Sequence, residues 1–188
     1  MIDNKNFRLK KEQTGLLVID VQDNIFSKMD RSCELLESLQ KIVQGLAILQ
    51  IPTFVTEHCP DKLGETIATL KAYLPENGKV LKKAAFSALQ ESHIKSEIIQ
   101  QNIKQWIVVG IEAHVCVQQT VSDLLKEKLD VVVLSDAIGS RKMFDYFTSI
   151  AEMSYFGARI STVETILFEL LLTSKDPEFK KISQLIKS

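Results

Sequence analysis

The sequence predicts an α/β fold: a doubly wound, Rossmann-like parallel sheet of about six strands with helices on both faces. Short runs of aliphatic and β-branched residues are typical of strands buried on both sides. These runs alternate with longer segments whose apolar residues recur at helical spacing, which implies parallel pairing and right-handed crossovers. The 188 residues include only 7 glycines and 4 prolines and show no linker. We therefore expect a single domain over 1–188, with a core over about 14–172 and a C-terminal helix over 176–187.

The first half of the chain supplies three predicted strands and one long helix. The run 15–21 is apolar apart from Asp20 and predicts the first strand. Leucines, isoleucines and valines at helical spacing over 35–49 predict the helix that follows. Residues 52–56 predict the second strand, and residues 79–82 a short third strand.

The second half alternates more regularly between helical and strand patterns. A buried strand is broken by Gly110, and a helical pattern begins after Cys116. The predicted elements are a helix over 94–103, a strand over 106–109, a helix over 117–125, a strand over 130–135, a loop over 136–141, a helix over 143–155, a strand over 160–163 and a helix over 164–172.

Three chemically active side chains follow three different predicted strands. Asp20, Lys83 and Cys116 each lie at a carboxyl end, and in doubly wound sheets ligands bind at that edge near a topological switch point. Asp20 is suited to take the thiol proton, and Lys83 to stabilise the resulting ion pair. The backbone N–H groups of Glu112 and Cys116 are candidates for an oxyanion hole. Together they predict attack of a thiol on a carbonyl, expulsion of an amine or ammonia, and hydrolysis of a thioester.

The position of Cys116 at a strand-to-helix junction predicts a reactive thiolate. Unpaired N–H groups and the positive end of a helix dipole lower a thiol pKa there, and Lys83 adds to that effect. The alternative is that Cys116 is a small buried hydrophobe, as most free cysteines are.

Four motifs in order resemble the isochorismatase-like cysteine hydrolases over about 14–172. They are an apolar-Asp-x-Gln motif at Ile19–Gln22, a Lys-x-x-Phe-Ser motif at Lys83–Ser87, a Gly-Ile-x-x-x-x-Cys motif at Gly110–Cys116 and an Asp-Ala-x-x-Ser-Arg motif at Asp136–Arg141. The resemblance implies that Asp20 is the base, Lys83 its ion-pair partner and Cys116 the nucleophile. It also implies a cis peptide between Ile111 and Glu112 that directs the Glu112 N–H into the oxyanion hole.

No metal and no cofactor are predicted. The nicotinamidase branch of this family carries an Asp-x-His metal-binding element after the second strand, but here that stretch, 56–60, contains Glu57 and His58 without a third ligand at suitable spacing. A dinucleotide is not expected, because the chain has no Gly-x-Gly-x-x-Gly motif.

Five residues are predicted to contact substrate. Phe26 and Phe86 closely follow Asp20 and Lys83, whereas aromatic residues at helical spacing elsewhere are usually core. Glu57 and His58 directly follow the second predicted strand and are expected to line the pocket. His114 lies two residues before Cys116, and its alternative role is a local hydrogen bond.

Charge and cysteine content restrict partners and location. A net charge of −1 without a basic run predicts no nucleic-acid partner, and no apolar stretch is long enough to span a membrane. The polar segment 1–13 does not resemble a secretion signal, and three cysteines without a C-x-x-C pair favour a reducing, cytoplasmic location. A small-molecule substrate is expected. The apolar helix over 144–155, together with the family resemblance, predicts a homo-oligomer.

Three functions remain open from the sequence. The first is hydrolysis of a small amide through Cys116. The second is ether hydrolysis of the isochorismatase type, which does not need the cysteine. The third is a scaffold or interaction protein that keeps the three residues without using them.

Overall fold

The six-stranded parallel sheet predicted from the sequence is confirmed. The computed structural model describes residues 7–100 and 102–187, so the first six residues of the polar N-terminal segment lie outside the description. The elements, in chain order, are β1 Thr14–Ile19, α1 Asp23–Phe26, α2 Ser32–Ile48, β2 Thr53–His58, α3 Pro60–Leu63, α4 Ala68–Lys71, β3 Lys79–Lys83, α5 Ser92–Gln100, β4 Gln105–Ile111, α6 Gln118–Lys126, β5 Asp130–Gly139, α7 Met143–Phe156, β6 Arg159–Ser161, α8 Val163–Leu171 and α9 Phe179–Lys187.

The strand order is β3-β2-β1-β4-β5-β6, and all pairs are parallel. β2 and β3 lie on one side of β1. The chain then crosses to the other side of β1 to form β4, and β5 and β6 follow there. The switch point therefore lies between β1 and β4, where the crossover connections diverge and leave a crevice at the carboxyl edge.

Two apolar layers enclose the sheet. Alternate residues of β1 point to opposite faces: Leu16 and Val18 pack with helices α2, α8 and α9, whereas Leu17 and Ile19 pack with α5, α6 and α7. The strand is fully buried on both sides, as the continuous apolar run predicts.

Several predicted boundaries are wrong. β4 is not broken at Gly110 but continues to Ile111, and α5 ends at Gln100 rather than at residue 103. β5 does not end at residue 135 but continues to Gly139, because the register of β4 against β5 shifts between Val108 and Gly110 and pairing then resumes. β6 ends at Ser161 rather than at residue 163. Thr162 caps α8 by accepting a hydrogen bond from the Thr165 N–H, so Val163 is the first residue of the helix.

Candidate active site

The carboxyl ends of β1 and β4 bring Asp20 and Cys116 to the switch point. Asp20 follows β1 directly, in a left-handed conformation with φ of 51°. Cys116 lies in a π-helical turn, Ala113–Val117, between β4 and α6. The junction is therefore not the first turn of an α-helix, as we predicted, but a wider turn of the kind often found at functional sites.

Lys83 reaches Asp20 from the end of β3, two strands away. Its Nζ lies 2.6 Å from Asp20 Oδ2, and both side chains are almost completely buried. The same Nζ donates hydrogen bonds to the carbonyls of Ala85 (3.1 Å) and Phe86 (3.0 Å). The ammonium therefore has two carbonyl acceptors in addition to its ion pair with Asp20. Thr56, on the intervening strand, donates from Oγ1 to Asp20 Oδ1 at 2.6 Å.

The thiol of Cys116 is 8% exposed and is not a resting thiolate. Burial raises its pKa to about 12, and the negative charge of Asp20 acts in the same direction, while Lys83 opposes both. The prediction of a lowered pKa is therefore wrong, because desolvation and the neighbouring carboxylate outweigh the cation. A protonated thiol next to a carboxylate needs proton transfer at the moment of attack rather than before it.

The raised pKa of the Cys116 thiol predicts how the cysteines react with an alkylating reagent. At pH 7, limiting iodoacetamide should label the exposed Cys33 before Cys116, because the thiolate is the nucleophile and the pKa of Cys116 is raised to about 12. Labelling of Cys116 should then rise by about tenfold per pH unit below that value, as its thiolate fraction does. Peptide mass mapping measures both sites, and urea-unfolded protein controls for accessibility. Preferential labelling of Cys116 at pH 7 would contradict the raised pKa.

The segment between β4 and Cys116 is held on both sides. The peptide bond between Ile111 and Glu112 is cis. Gly110 has φ of +114°, and a Cβ at this position would lie 2.1 Å from the carbonyl oxygen of Ile19. On the outer side, Glu112 Oε2 accepts a hydrogen bond from Nε of Arg141 at 2.9 Å. Because only glycine permits β1 to approach this closely, the carboxyl ends of β1 and β4 stay adjacent.

A cavity of about 220 Å³ opens onto these groups. Its apolar walls come from five different elements or loops, and Asp20, His58, Glu112 and Cys116 supply the polar atoms. The lining residues are Asp20, Ile25, His58, Leu63, Phe86, Ile111, Glu112, Val115 and Cys116. A second cleft of about 210 Å³, beside the ends of α2 and β5, contains neither Asp20 nor Cys116.

The isochorismatase domain model matches residues 14–165, a span that contains all of these catalytic candidates. The chain belongs to the isochorismatase family. Isochorismatase domain-containing protein 2 of Danio rerio is 31% identical over 179 residues, covering 95% of this chain and 89% of the relative. A secreted isochorismatase effector of Phytophthora sojae is 33% identical over 185 residues, covering 96% and 87%.

Among solved structures, one described as the MAR1 ribonuclease of Caenorhabditis elegans has a TM-score of 0.91 and 35% identity, covering 97% of this chain and 93% of that one. Membership of the isochorismatase family supports a hydrolase in general. It does not specify the bond that is cleaved.

Of the five predicted substrate contacts, the structure brings only His58 and Phe86 to the cavity of this isochorismatase-family site. Phe26 is buried in the core between the sheet and α2, and its neighbour Ile25 lines the cavity instead. Glu57 is also buried, and its Oε1 accepts hydrogen bonds from the N–H and hydroxyl of Thr66. These two predictions are wrong, because adjacent residues on a helix or strand point in different directions.

His114 also lies outside the cavity. Its Nδ1 is 2.9 Å from Ser140 Oγ, and its Nε2 is 3.9 Å from Asp145. This is the local hydrogen-bonding role that we kept as the alternative. Arg141 likewise forms an ion pair, with Glu112, and does not line the cavity.

Two positioning residues were missed by sequence reasoning. Thr56 holds the Asp20 carboxylate, as described above. Gln22 is fully buried and fixes the end of β2: its Oε1 accepts from the His58 N–H at 2.7 Å, and its Nε2 donates to the carbonyls of His58 and Gly64. The Asp-x-Gln motif contained this signal, since a polar residue three positions after the end of a buried strand needs partners when it is itself buried.

Within residues 7–100 and 102–187, no three His, Cys, Asp or Glu side chains are grouped as metal ligands. No helix of these residues combines the length and apolar character needed to cross a bilayer.

Proposed function

We propose that this isochorismatase-family protein is a cysteine hydrolase that cleaves the C–N bond of a small carboxamide through a thioester on Cys116, with Asp20 as general base. The observation that carries the proposal is the buried Asp20–Lys83 ion pair, 2.6 Å between Oδ2 and Nζ, acting on a thiol that borders a cavity of about 220 Å³.

In the first half-reaction, Sγ of Cys116 attacks the amide carbonyl while Asp20 accepts the thiol proton. Because the pKa of the free thiol is raised to about 12, deprotonation is coupled to C–S bond formation. Once Asp20 is protonated, the ammonium of Lys83 balances the negative charge of the adduct. The backbone N–H groups of Glu112 and Cys116 are the proposed donors to its oxyanion.

Collapse of the adduct breaks the C–N bond. Asp20 returns its proton to the nitrogen, and ammonia or an amine leaves. In the second half-reaction, Asp20 takes a proton from water as the water oxygen attacks the thioester, and the proton passes to the departing sulfur of Cys116. The products are a carboxylic acid and ammonia or an amine, and the enzyme returns to its starting protonation state.

The site charges favour this reaction over isochorismatase-type ether hydrolysis. Isochorismate is a dicarboxylate, and among the described residues that line the cavity there is no lysine or arginine to bind it. Lys83 is paired with Asp20 and donates to two backbone carbonyls, and Arg141 is paired with Glu112. The cavity beside Cys116 also weighs against a scaffold whose pocket is closed.

The same charge argument applies to RNA. The Caenorhabditis elegans structure is described as a ribonuclease, but here a phosphodiester at Cys116 would face the Asp20 carboxylate without a free cation among the lining residues described. RNA is nevertheless included as a substrate in the functional test.

The test is a screen for ammonia release from small carboxamides, with isochorismate and a single-stranded RNA as parallel substrates. We expect turnover of at least one carboxamide, together with an acyl adduct on Cys116 detected by intact-mass and peptide analysis after acid quenching. Turnover of only isochorismate or RNA, without such an adduct, would refute the amide hydrolase.

We also propose that α7 mediates self-association. The three most exposed aromatic side chains among the described residues all lie on this helix: Phe144 is exposed by 82%, Phe147 by 62% and Tyr155 by 76%. Aromatic surface concentrated on one helix is characteristic of an interface, and closed symmetry with a second copy would bury it.

Replacing these aromatic residues should dissociate the oligomer. The triple variant Phe144→Ser, Phe147→Ser, Tyr155→Ser is expected to elute as a 21.2 kDa monomer in light-scattering measurements at micromolar concentration, whereas the wild type has a multiple of this mass. The control variant Val80→Ser, Ile99→Ser removes exposed apolar side chains elsewhere and should leave the mass unchanged. A monomeric wild type would disprove self-association.

A further inference from the structure

The ammonium of Lys83 is supported by the turn 84–90, which connects β3 to α5. Two carbonyls of this turn, those of Ala85 and Phe86, accept hydrogen bonds from Nζ, and the same atom forms the ion pair with Asp20. The Lys83 side chain has no exposed surface, so these protein groups rather than water determine where the cation lies. A displacement of the turn would therefore displace the cation from the site.

The later residues of the turn are hydrogen-bonded to α6. Ser87 Oγ donates to Asp123 Oδ2 at 2.8 Å, and Gln90 Nε2 donates to the same oxygen at 2.8 Å. The Ala88 N–H donates to Thr120 Oγ1 at 3.0 Å. Ser87 and Thr120 are buried, so an unmade bond at either position would be costly. Two side chains of α6 thus hold the turn at three points.

The carboxylate of Asp123 is a charged acceptor for two of these bonds. Burial raises the pKa of Asp123, but hydrogen bonds from Lys126, Gln90 and Ser87 outweigh this effect and lower the pKa overall. The Lys126 ammonium binds the other oxygen, Oδ1, at 2.8 Å on the surface. Hydrogen bonds to an ionised acceptor are stronger than bonds between neutral groups, so Asp123 holds the turn firmly at neutral pH.

The helix that holds the turn also carries Cys116. Thr120 and Asp123 follow Cys116 by four and seven positions, which is the spacing of side chains on one helix face. The π-helical turn with Cys116 continues directly into α6. Beyond the effect of burial, Asp20 and Lys83 both act on the pKa of the Cys116 thiol, so its side chain faces the ion pair. The sulfur and the anchors of the turn therefore share one rigid element.

Other hydrogen bonds of the turn shape it without connecting it to Cys116. Glu91 Oε1 accepts hydrogen bonds from the N–H groups of Ala84 and Ala85 at 2.8 and 2.9 Å. The Leu89 N–H donates to Ser87 Oγ at 3.3 Å. These partners all lie within residues 84–91. They fix the conformation of the turn, whereas the bonds to α6 fix its distance from the nucleophile.

We propose that Thr120 and Asp123 are positioning residues for Lys83. By binding the turn 84–90, they hold the ammonium in place beside the sulfur of Cys116. Neither residue lines the cavity, so both act through the turn rather than on the substrate. This inference rests on the proposed hydrolase activity, in which Lys83 balances the charge of the adduct.

A pair of double variants tests the role of these acceptors in turnover. Thr120→Val, Asp123→Ala removes the acceptors of all three bonds but leaves the catalytic candidates unchanged. We expect kcat for the carboxamide found in the screen to fall by about 10- to 100-fold, because a small displacement of a charged group lowers the rate steeply. Thr120→Ser, Asp123→Asn keeps an acceptor at each position and should retain at least about a third of the wild-type kcat.

Lys126→Ala is the matched control, because it removes the exposed partner of the same Asp123 carboxylate and leaves the turn bound. Its kcat should stay within ~2-fold of the wild type, as expected for a surface ion pair. All rates are compared well below the Tm of each variant, so that folded enzyme is measured. A wild-type kcat in Thr120→Val, Asp123→Ala, or equal losses in the two double variants, would overturn the inference.

The position of Lys83 is also measurable without turnover. In protein labelled with ¹⁵N-lysine, the protons of a buried, hydrogen-bonded ammonium exchange slowly with water, and Lys83→Met identifies its NMR signal. The exchange rate should rise by at least ~10-fold in Thr120→Val, Asp123→Ala and stay near the wild-type value in Thr120→Ser, Asp123→Asn. An unchanged rate in the first variant, or a wild-type ammonium that exchanges too fast to be observed, would contradict a fixed Lys83.

The NMR measurement separates failure of this inference from failure of the hydrolase. If no carboxamide is cleaved but Lys83 exchange rises only when the acceptors on α6 are removed, the hydrolase proposal fails and the positioning role stands. If turnover falls while Lys83 exchange is unchanged, the positioning role fails and the hydrolase stands.

Discussion

Cys116→Ala is expected to lower carboxamide turnover by at least ~10³-fold, because no thioester can form without the sulfur. The fold should survive, since the substitution only removes one sulfur atom from a site that already borders a cavity. Ammonia release measures turnover, and thermal unfolding verifies the structure. Cys33→Ala, at an exposed cysteine of α2, is the matched control and should retain full activity.

The other two residues of the site should behave as one unit with Cys116. Asp20→Asn keeps the shape of the side chain but cannot accept the thiol proton, and Lys83→Met removes the cation that balances the adduct. Each is expected to lose ~10³-fold or more, and double variants should be little worse than the worst single variant, because the three side chains act on one step. A Cys116→Ala protein with near-wild-type turnover would exclude nucleophilic catalysis and favour the ether hydrolase.

Gly110→Ala is expected to disrupt folding. Gly110 has φ of +114°, and the new methyl group would lie 2.1 Å from the Ile19 carbonyl oxygen and 2.7 Å from its nitrogen. These are backbone atoms at the centre of the sheet, so β1 and β4 cannot separate without losing their pairing. We expect destabilisation of more than ~4 kcal/mol, or a lowering of Tm by more than about 10 °C, with insoluble protein as the extreme result.

Gly157→Ala separates steric overlap from backbone strain. Gly157 also has a positive φ, of +107°, but an added Cβ would have nothing within 4 Å. Its variant should lose only ~1–2 kcal/mol, the cost of a left-handed conformation for a residue with a side chain. Equal Tm losses for the two variants, measured by calorimetry, would show that the contact with β1 is not the cause.

The meeting of Asp20 and Lys83 was predictable because it depends on topology alone. Parallel strands present their carboxyl ends at one edge, so residues that end β1 and β3 lie on the same side whatever their surroundings. The ionisation of Cys116 was not predictable from the sequence. Its pKa depends on burial by segments remote in sequence and on the orientation of the Asp20 carboxylate, 96 residues before it in the chain.

Side-chain direction accounts for the two pocket residues that were predicted wrongly, Phe26 and Glu57. α1 is a single turn, and a rotation of one residue exchanges Phe26, which faces the core, with Ile25, which faces the cavity. Glu57 and His58 are neighbours near the end of β2 and point to opposite sides, so only one could line the site. The sequence locates such segments well. Which of two neighbouring residues faces the cavity depends on how the segment packs, and a shift of one residue exchanges the two.

The engagement of Lys83 with two backbone carbonyls has an evolutionary consequence. One ammonium anchors the Asp20 carboxylate and also fixes the turn that carries Phe86, so the proposed base and one wall of the cavity share a single support. Changes in that turn would disturb the base as well as the fit of the substrate. Divergence toward new substrates is therefore freest at Ile25 and Leu63, which belong to short helices with no contact to the ion pair among the hydrogen bonds described.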